Sequence, residues 1–389
     1  MTADWRVRAA AVIPGGTSTG SKRPDAMYGG VHSGPTHITE ALGCRIRTVA
    51  GAWLIDLTAA LGAVSIGYAD PAVTEAVLSA AARGPAAGLP FTEEVTLAER
   101  LRELMPSAEQ TRFLKSGAEA CAAAVRIARA HTRRDLVLGS GYFGWLDWWA
   151  AAAGVPDGAH ADYRQLPFND RHAWRTALME AGDALAAVII EPLVEVLADV
   201  EWLRDLRTHC DRVGAVLIFD EVKTGFRLHR GGAQTLLGVA PDLTTLGKAI
   251  ANGYPLAAVT GRASVMAAVQ QTWISSTLST ELVSLAAAHA VLDHHERRDV
   301  CALLHDNGRA LRATIGAAAV RAGCPLETSG HDTMFIIRWP DEAQQDRTLA
   351  ALRTAGVLAK RGPYQFATCA MLPADIAAVG DAFHWALSR

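Results

Sequence analysis

Short apolar runs alternate along the chain with stretches of helical periodicity. The runs Ala186–Pro192 and Ala215–Phe219 are too short to form helices on their own, and each is typical of a strand buried on both faces. The segment Asp242–Leu246 is interpreted as another strand. The helical pattern Trp202–Val213 leads from the first run to the second. This order predicts a βαβ unit, and with it a domain of the α/β class.

The regions on either side of this unit carry further predicted elements. Helices are predicted at Pro71–Arg83, Ser116–His131, Leu282–His295, Ala302–Ala322 and Pro373–Leu387. Strands are predicted at Leu136–Leu138 and Thr333–Trp339, with a hairpin over Cys44–Asp56. Residues 1–45 are rich in Gly, Pro, Ser and Thr and contain no run long enough for a helix. This composition indicates an ordered arm or a flexible tail.

Length and charge exclude several classes of function. The 389 residues carry a formal net charge of −3, so there is no basic excess for binding nucleic acid or an anionic membrane. No window approaches the roughly 18 apolar residues of a membrane helix, and the charged N-terminal stretch makes a poor signal peptide. We therefore expect a cytoplasmic protein of two domains that acts on small molecules.

The cysteines do not suggest a metal or disulfide framework. They are Cys44, Cys121, Cys210, Cys301, Cys324 and Cys369. None lies in a CxxC motif or in a His-rich neighbourhood, which argues against zinc and against a small disulfide-bonded fold. We expect free thiols and no metal site.

Two charged residues that follow predicted strands suggest a specific chemistry. Asp220 ends the run Ala215–Phe219, and Lys248 follows the strand Asp242–Leu246 after one glycine. Ligands collect outside the carboxyl ends of strands in an open parallel sheet, so both side chains can face one pocket. A partly desolvated lysine can form a Schiff base with a carbonyl, and a buried carboxylate can keep a pyridine nitrogen protonated. Together they indicate pyridoxal 5'-phosphate (PLP), although each alone is more often a strand cap or a solvated lysine.

The predicted helix Ser116–His131 supplies a candidate phosphate site. Ser116 is a natural N-cap, and the free N–H groups at a helix start bind phosphate, with Gly117 allowing a close approach. Taken alone, the same stretch also fits a simple capped helix.

Aromatic residues follow the predicted strand Leu136–Leu138. An aromatic ring placed just past a strand end, such as that of Tyr142, can lie flat on a pyridine ring and hold it by stacking. The nearby Trp145, Trp148 and Trp149 suggest an apolar wall, and each of them also fits an ordinary core position.

The motifs DEVKTGFR, at 220–227, and PDLTTLGKAIANGYPLAAVTG, at 241–261, resemble the class III PLP-dependent aminotransferases. Within that family the resemblance is nearest to the glutamate-1-semialdehyde aminomutase branch. It implies fold type I of the PLP-dependent transferases. In that fold a large domain with a mostly parallel seven-stranded sheet, here 46–281, carries the cofactor. An arm at 1–45 would contribute to the active site and to a smaller α+β C-terminal domain at 282–389.

The resemblance also implies roles for individual residues. Lys248 and Asp220 are the catalytic residues, forming the Schiff base and holding the ring nitrogen. The other cofactor contacts that it implies are Ser116, Gly117 and Ala118 to the phosphate, Tyr142 stacked on the ring, Glu191 of the E-P motif, and Thr277. Thr277 matches a threonine that reaches the phosphate of the neighbouring subunit, so the resemblance implies a homodimer with shared active sites. Lys22 and Trp145 are candidate substrate contacts.

Three departures from the aminomutase pattern bear on the reaction. Phe143 stands where a histidine is common, and Val196 lies near the position of an asparagine that reaches the cofactor. The segment after Trp149 is too short for most of the mobile gating loop of that branch.

These departures favour an aminotransferase that moves an amino group from a donor to a keto or aldehyde acceptor, by a ping-pong route through pyridoxamine phosphate. The alternatives are a glutamate-1-semialdehyde 2,1-aminomutase and a binding protein of this fold without turnover. Retention of both Lys248 and Asp220 counts against the binding protein. A nicotinamide enzyme would need a GxGxxG turn after the first strand, and the chain lacks one.

Overall fold

The computed structural model describes residues 4–30 and 32–389. Residues 1–3 and residue 31, which belong to the predicted arm, lie outside the described part. The chain forms two compact units: Ala72–Cys301 makes the larger one, and the residues up to Pro71 together with Ala302–Arg389 make the smaller one. These boundaries differ from the predicted ones at 45 and 281.

A seven-stranded sheet forms the centre of the larger unit. Its strands, in spatial order, are Gln110–Leu114, Ala257–Gly261, Leu243–Leu246, Val216–Asp220, Leu185–Ile190, Leu136–Ser140 and Tyr163–Gln165. Ala257–Gly261 runs antiparallel to both of its neighbours, and the other adjacent strands are parallel. The predicted α/β class with a mostly parallel seven-stranded sheet is therefore confirmed. The apolar runs form its centre because Leu185–Ile190 and Val216–Asp220 are buried along their whole length.

Helices cover the sheet and connect its strands. Those of the larger unit are Pro71–Ala82, Thr92–Leu104, Gly117–Thr132, Arg171–Ala181, Val200–Val213, Gly232–Leu237, Ala263–Met266 and Leu282–Arg297. The crossover helix begins where Asp199 accepts a hydrogen bond from the Trp202 N–H. It buries Trp202, Leu203, Leu206 and Cys210, whose spacing places them on one face of a helix. The predicted βαβ unit is present.

The helix Leu282–Arg297 belongs to the larger unit, although it was predicted to open the smaller domain. It lies against the helix Thr92–Leu104, where the Arg100 guanidinium is 2.9 Å from the Asp293 carboxylate. Leu282, at its start, also donates its N–H to the Pro85 carbonyl. These contacts are made by side chains far apart in sequence, so helical periodicity alone does not assign the helix to a domain.

Two small sheets organise the smaller unit. One contains Ile38–Leu42, Arg45–Thr48, Trp53–Asp56 and Val357–Leu358, and the other contains Glu327–His331, Met334–Arg338 and Gln365–Phe366. The predicted hairpin at 44–56 is present, as antiparallel pairing of its two strands. Trp53–Asp56 pairs in parallel with Val357–Leu358, and this pairing places residues 38–56 with the C-terminal part of the chain. The longer helices of the unit are Val300–Arg321, Glu342–Thr354 and Pro373–Leu387.

The N-terminal region contains helices that were not predicted. Trp5–Val12 begins after Asp4, whose carboxylate accepts a hydrogen bond of 3.0 Å from the Arg6 N–H. Ala9 is the buried residue of that helix, which explains why no apolar periodicity marks it. A second helix, Pro24–Tyr28, ends at a glycine in the left-handed conformation.

Candidate active site

Three predicted site residues lie at the carboxyl ends of neighbouring parallel strands. Glu191 follows Leu185–Ile190, Asp220 ends the adjacent strand, and Lys248 follows Leu243–Leu246. Glu191 and Asp220 are 6% and 3% exposed, and both carboxylates interact electrostatically with the Lys248 ammonium. The structure thus brings together the residues that the strand ends predict to share one pocket.

Both oxygens of the Asp220 carboxylate accept hydrogen bonds from the protein. Oδ1 accepts from the Thr245 hydroxyl at 2.9 Å and from the Val222 N–H at 3.0 Å, and Oδ2 accepts from the Cys121 thiol at 3.3 Å. Thr245 is directly opposite Asp220 in the parallel pairing of their strands. Burial raises the pKa of Asp220, while these hydrogen bonds and the charge of Lys248 oppose that rise. The carboxylate is held in one orientation, beside a cation.

Lys248 has a backbone and an environment that favour reactivity. Its φ is 47°, in the left-handed region that side-chain-bearing residues seldom adopt, and such conformations cluster at functional sites. Burial lowers the pKa of the Lys248 amine, and the nearby charges of Lys223 and Arg227 lower it further. Asp220 and Glu191 act in the opposite direction. The amine is therefore deprotonated more easily than that of a solvated lysine.

Glu191 forms a buried ion pair that was not predicted. Its Oε1 is 3.1 Å from the Lys223 Nζ, and the two side chains are 8% and 10% exposed. Burial raises the pKa of the Glu191 carboxyl, and the Lys223 charge opposes this. Lys223 lies three residues after Asp220, within the same motif. Nothing in the apolar pattern distinguishes it from a solvated lysine, and its nearness to Asp220 was the only available signal.

The candidate phosphate site lies at the start of the helix Gly117–Thr132. The Ser116 hydroxyl accepts from the Glu119 N–H, and Glu119 in turn accepts from the Ser116 N–H at 2.8 Å, which completes a capping box. The first turn of a helix still leaves N–H groups without intrahelical acceptors, including those of Gly117 and Ala118.

Gly117 has a steric reason to be glycine. A Cβ at Gly117 would lie 2.6 Å from Val222 Cγ1, and one at Gly247 would lie 3.2 Å from the same atom. Val222, in the segment that follows Asp220, therefore lies close both to the helix start and to the residue before Lys248. A lysine amine, a buried carboxylate and a helix N-terminus lie within one site, and they match the aldehyde, ring nitrogen and phosphate of PLP. The donor set fits this cofactor.

The aromatic residues divide into exposed and buried groups. Tyr142 is 65% exposed just beyond the strand Leu136–Ser140, and its ring meets the edge of Trp149 at 5.5 Å between centroids. Phe143 is buried and contacts Trp148, Trp149 and Tyr163. Ordinary core packing thus describes Phe143. Tyr142 is exposed, and its predicted stacking on the cofactor ring stays a prediction.

Trp145, Thr277 and Lys22 are exposed. Thr277 lies in a turn that leads to Glu281, and the Glu281 carboxylate is 2.9 Å from the Lys115 ammonium, next to the phosphate site. Lys22 ends the short 3-10 helix Gly20–Lys22 of the smaller unit. Its predicted role as a substrate contact stays a prediction.

The described residues also bear on two other classes of function. In residues 4–30 and 32–389, no helix is both long and apolar enough to cross a membrane. In the same described part, no group of three or more His, Cys, Asp or Glu side chains could hold a metal ion. All six cysteines are free thiols.

Comparison with known proteins identifies the family. A family model described as Aminotransferase class-III matches residues 28–143 and 150–378. The glutamate-1-semialdehyde 2,1-aminomutase of Sorangium cellulosum (strain So ce56) is 38% identical over 394 residues, covering 92% of this chain and 87% of that protein. The 2'-deamino-2'-hydroxyneamine transaminase of Streptomyces kanamyceticus is 34% identical over 337 residues, covering 84% of each chain.

Solved structures agree with this result. The PLP internal aldimine form of the Sphingopyxis sp. MTA144 FumI protein matches with a TM-score of 0.95 and 29% identity, covering 99% of this chain and 95% of that chain. The resemblance to the class III family, and within it to the aminomutase branch, is confirmed. The chain therefore belongs to the class III aminotransferases and is a PLP-dependent enzyme.

Proposed function

We propose that the protein is an aminotransferase that moves an amino group from an amino donor to a keto or aldehyde acceptor in two half-reactions. The observation that carries this proposal is the short connection between Trp149 and the strand Tyr163–Gln165. It contains a single short 3-10 helix, Asp157–Ala159. A mutase must retain its intermediate, and a closing lid is the physical means of doing so. An open site suits a ping-pong enzyme, whose first product must leave before the second substrate enters.

The residues at the strand ends would have different roles in this reaction. PLP supplies the electron sink that stabilises negative charge on the substrate carbon. Lys248 would hold the cofactor through its amine and move the proton between the substrate carbon and the cofactor. Asp220 would keep the ring nitrogen protonated, and the start of the helix Gly117–Thr132 would hold the phosphate. Tyr142 would stack on the ring, and Glu191 would orient neighbouring groups.

The alternative is an aminomutase of the glutamate-1-semialdehyde 2,1-aminomutase type. The name of the relative from Sorangium cellulosum favours it. The transaminase from Streptomyces kanamyceticus has a similar level of identity, so both reactions occur among relatives of this chain. Relatedness alone does not separate the two reactions.

The aminotransferase and the aminomutase can be distinguished by a half-reaction. The PLP form is incubated with candidate amino donors, small molecules are removed, and the protein is examined for stable pyridoxamine phosphate. We expect a released keto product and conversion back to the PLP form by a keto or aldehyde acceptor. Efficient isomerisation of glutamate-1-semialdehyde, with no donor giving a released product, would instead establish the mutase.

We propose further that the enzyme acts in the cytoplasm as a homodimer with shared active sites, in which Thr277 reaches the phosphate bound by the partner. Thr277 is an exposed residue in a turn, and this position supports a contact with a partner subunit. Trp145 and Lys22 are proposed as substrate contacts through apolar area and positive charge.

Thr277→Val is expected to weaken retention of PLP and to make that retention depend on protein concentration. The variant loses a hydrogen bond to the phosphate. Dissociation of the dimer on dilution then removes the partner subunit's remaining contacts with the cofactor. Cofactor content is measured after dilution and sedimentation, with Thr280→Val as the control in the same turn. A wild-type monomer with full PLP occupancy would contradict the proposal.

A further inference from the structure

The carboxylates of Asp220 and Glu191 and the cations of Lys223 and Arg227 interact electrostatically with the amine of Lys248. Asp220 and Glu191 approach from the ends of their strands, and Lys223 and Arg227 approach from the segment that follows Asp220. All four of these side chains are buried. Charges interact strongly where little water separates them. The protonation of the Lys248 nitrogen is therefore set by the balance of these groups.

Lys223 affects Lys248 both through its own charge and through its ion pair with Glu191. It is paired with the Glu191 carboxylate at 3.1 Å and is 9% exposed as a residue. Both members of the pair interact electrostatically with Lys248: Glu191 stabilises a proton on its nitrogen and Lys223 destabilises it. If Lys223 were apolar, Lys248 would interact with the same two carboxylates and with one cation fewer. The Lys248 ammonium would then be the natural partner of Glu191.

We propose that Lys223 is a positioning residue, which holds Glu191 in an ion pair and so prevents that carboxylate from retaining the proton on the Lys248 nitrogen. This inference rests on the proposed function, because Lys248 must take and release a proton in each half-reaction. Lys223 touches neither the substrate carbon nor the cofactor in this role, and acts through Glu191 and through its own charge. The positive charge of Lys223 lowers the pKa of Lys248, which agrees with this role.

The competing interpretation is an ion pair that serves stability alone. The two interpretations can be distinguished by the direction in which each variant shifts the protonation of Lys248. Breaking a buried ion pair from either side lowers stability, because either change leaves an uncompensated charge. The effects on Lys248 are opposite, since Lys223→Met removes a cation and Glu191→Gln removes an anion. The direction of two single-variant shifts therefore distinguishes proton control from a purely structural role.

The test is a pH titration of the visible absorbance of the PLP-loaded enzyme without substrate. The absorbance of PLP joined to a lysine changes when the linking nitrogen gains or loses its proton. We expect Lys223→Met to raise the midpoint by about one pH unit and Glu191→Gln to lower it by about as much, the size typical of removing a nearby charge. The double variant should return close to the wild-type midpoint. Thermal unfolding is recorded in parallel.

Arg207→Met is the matched control. It breaks another ion pair of the larger unit, in which Arg207 Nη1 is 2.8 Å from Asp242 Oδ2, at the opposite end of the strand that leads to Lys248. We expect lower stability and no shift of the midpoint. If Lys223→Met does not fold, Glu191→Gln and the double variant still decide between the interpretations.

The inference would be overturned if both single variants shifted the midpoint in the same direction. It would also be overturned if the midpoints stayed unchanged while stability fell. Neither outcome would argue against the PLP chemistry. Failure of the proposed function looks different. In that case the wild-type enzyme would release no keto product in the half-reaction, whatever the midpoints of these variants.

Discussion

Lys248→Ala is expected to abolish turnover while leaving PLP bound without a covalent bond. The variant loses the covalent attachment and the proton-transfer group together, and general acid–base catalysis alone contributes roughly 10²–10⁴-fold. We therefore expect a loss of at least about 10⁴-fold in the rate of the half-reaction. The start of the helix Gly117–Thr132 is unchanged in this variant, so contacts to the phosphate should keep part of the cofactor in place.

The measurement combines single-turnover kinetics with the cofactor content after gel filtration. Lys248→Arg is the matched control, because it keeps a cation at the site but has no primary amine. We expect it to be as inactive as the alanine variant. Near-normal activity in either variant would remove Lys248 from the proposed mechanism.

Asp220→Asn is expected to lower the rate by roughly 10³-fold, on the scale of removing a preorganised electrostatic contact in an active site. The side chain keeps its shape, and its oxygen can still accept from the Thr245 hydroxyl and the Val222 N–H. It loses the charge that keeps the cofactor ring nitrogen protonated. The bond to Lys248 should still form, so the visible absorbance of bound PLP should persist.

Thr245→Val provides a graded control for this variant. It removes one hydrogen bond of 2.9 Å to the carboxylate but leaves the charge in place. A loss of about 10-fold, or about 1.4 kcal/mol, is expected, close to the lower end for a hydrogen bond to a charged group. Equal losses in the two variants would show that orientation, and not charge, is what Asp220 contributes.

The position of Asp220 could be predicted because it ends an apolar run that is typical of a buried strand, and that of Lys248 because it follows a short segment interpreted as another strand. The end of such a run is visible in the sequence, and the parallel arrangement places strand ends at one edge. The N-cap at Ser116 was predictable for the same local reason, and the structure extends it to a capping box with Glu119. Its signals lie within four residues of each other.

The partners of these residues could not be predicted in the same way. Thr245 faces Asp220 through the register of two strands, and Cys121 reaches it from a helix on the face of the sheet. Lys223 is recognised only through its pairing with Glu191, which follows the strand Leu185–Ile190. Such contacts depend on tertiary packing, which hydrophobic periodicity does not specify.

The boundaries between the two units could not be predicted from the sequence for a similar reason. Val357–Leu358 is a strand of two residues, too short to be recognised in a sequence, and it pairs with Trp53–Asp56 about three hundred positions earlier. Equally, nothing in the sequence distinguishes exposed Tyr142 from buried Phe143. The difference arises from which of two adjacent rings faces the aromatic cluster.

PLP is expected to be bound to the lysine that follows the strand Leu243–Leu246 of the seven-stranded sheet. The chain contains five lysines, namely Lys22, Lys115, Lys223, Lys248 and Lys360. Borohydride reduction of the purified enzyme fixes PLP to its lysine, and peptide mass spectrometry then locates it. We predict loss of the visible absorbance and the added mass on Lys248 alone. Added mass on Lys223 or on any other lysine, or no fixed PLP, would contradict the account.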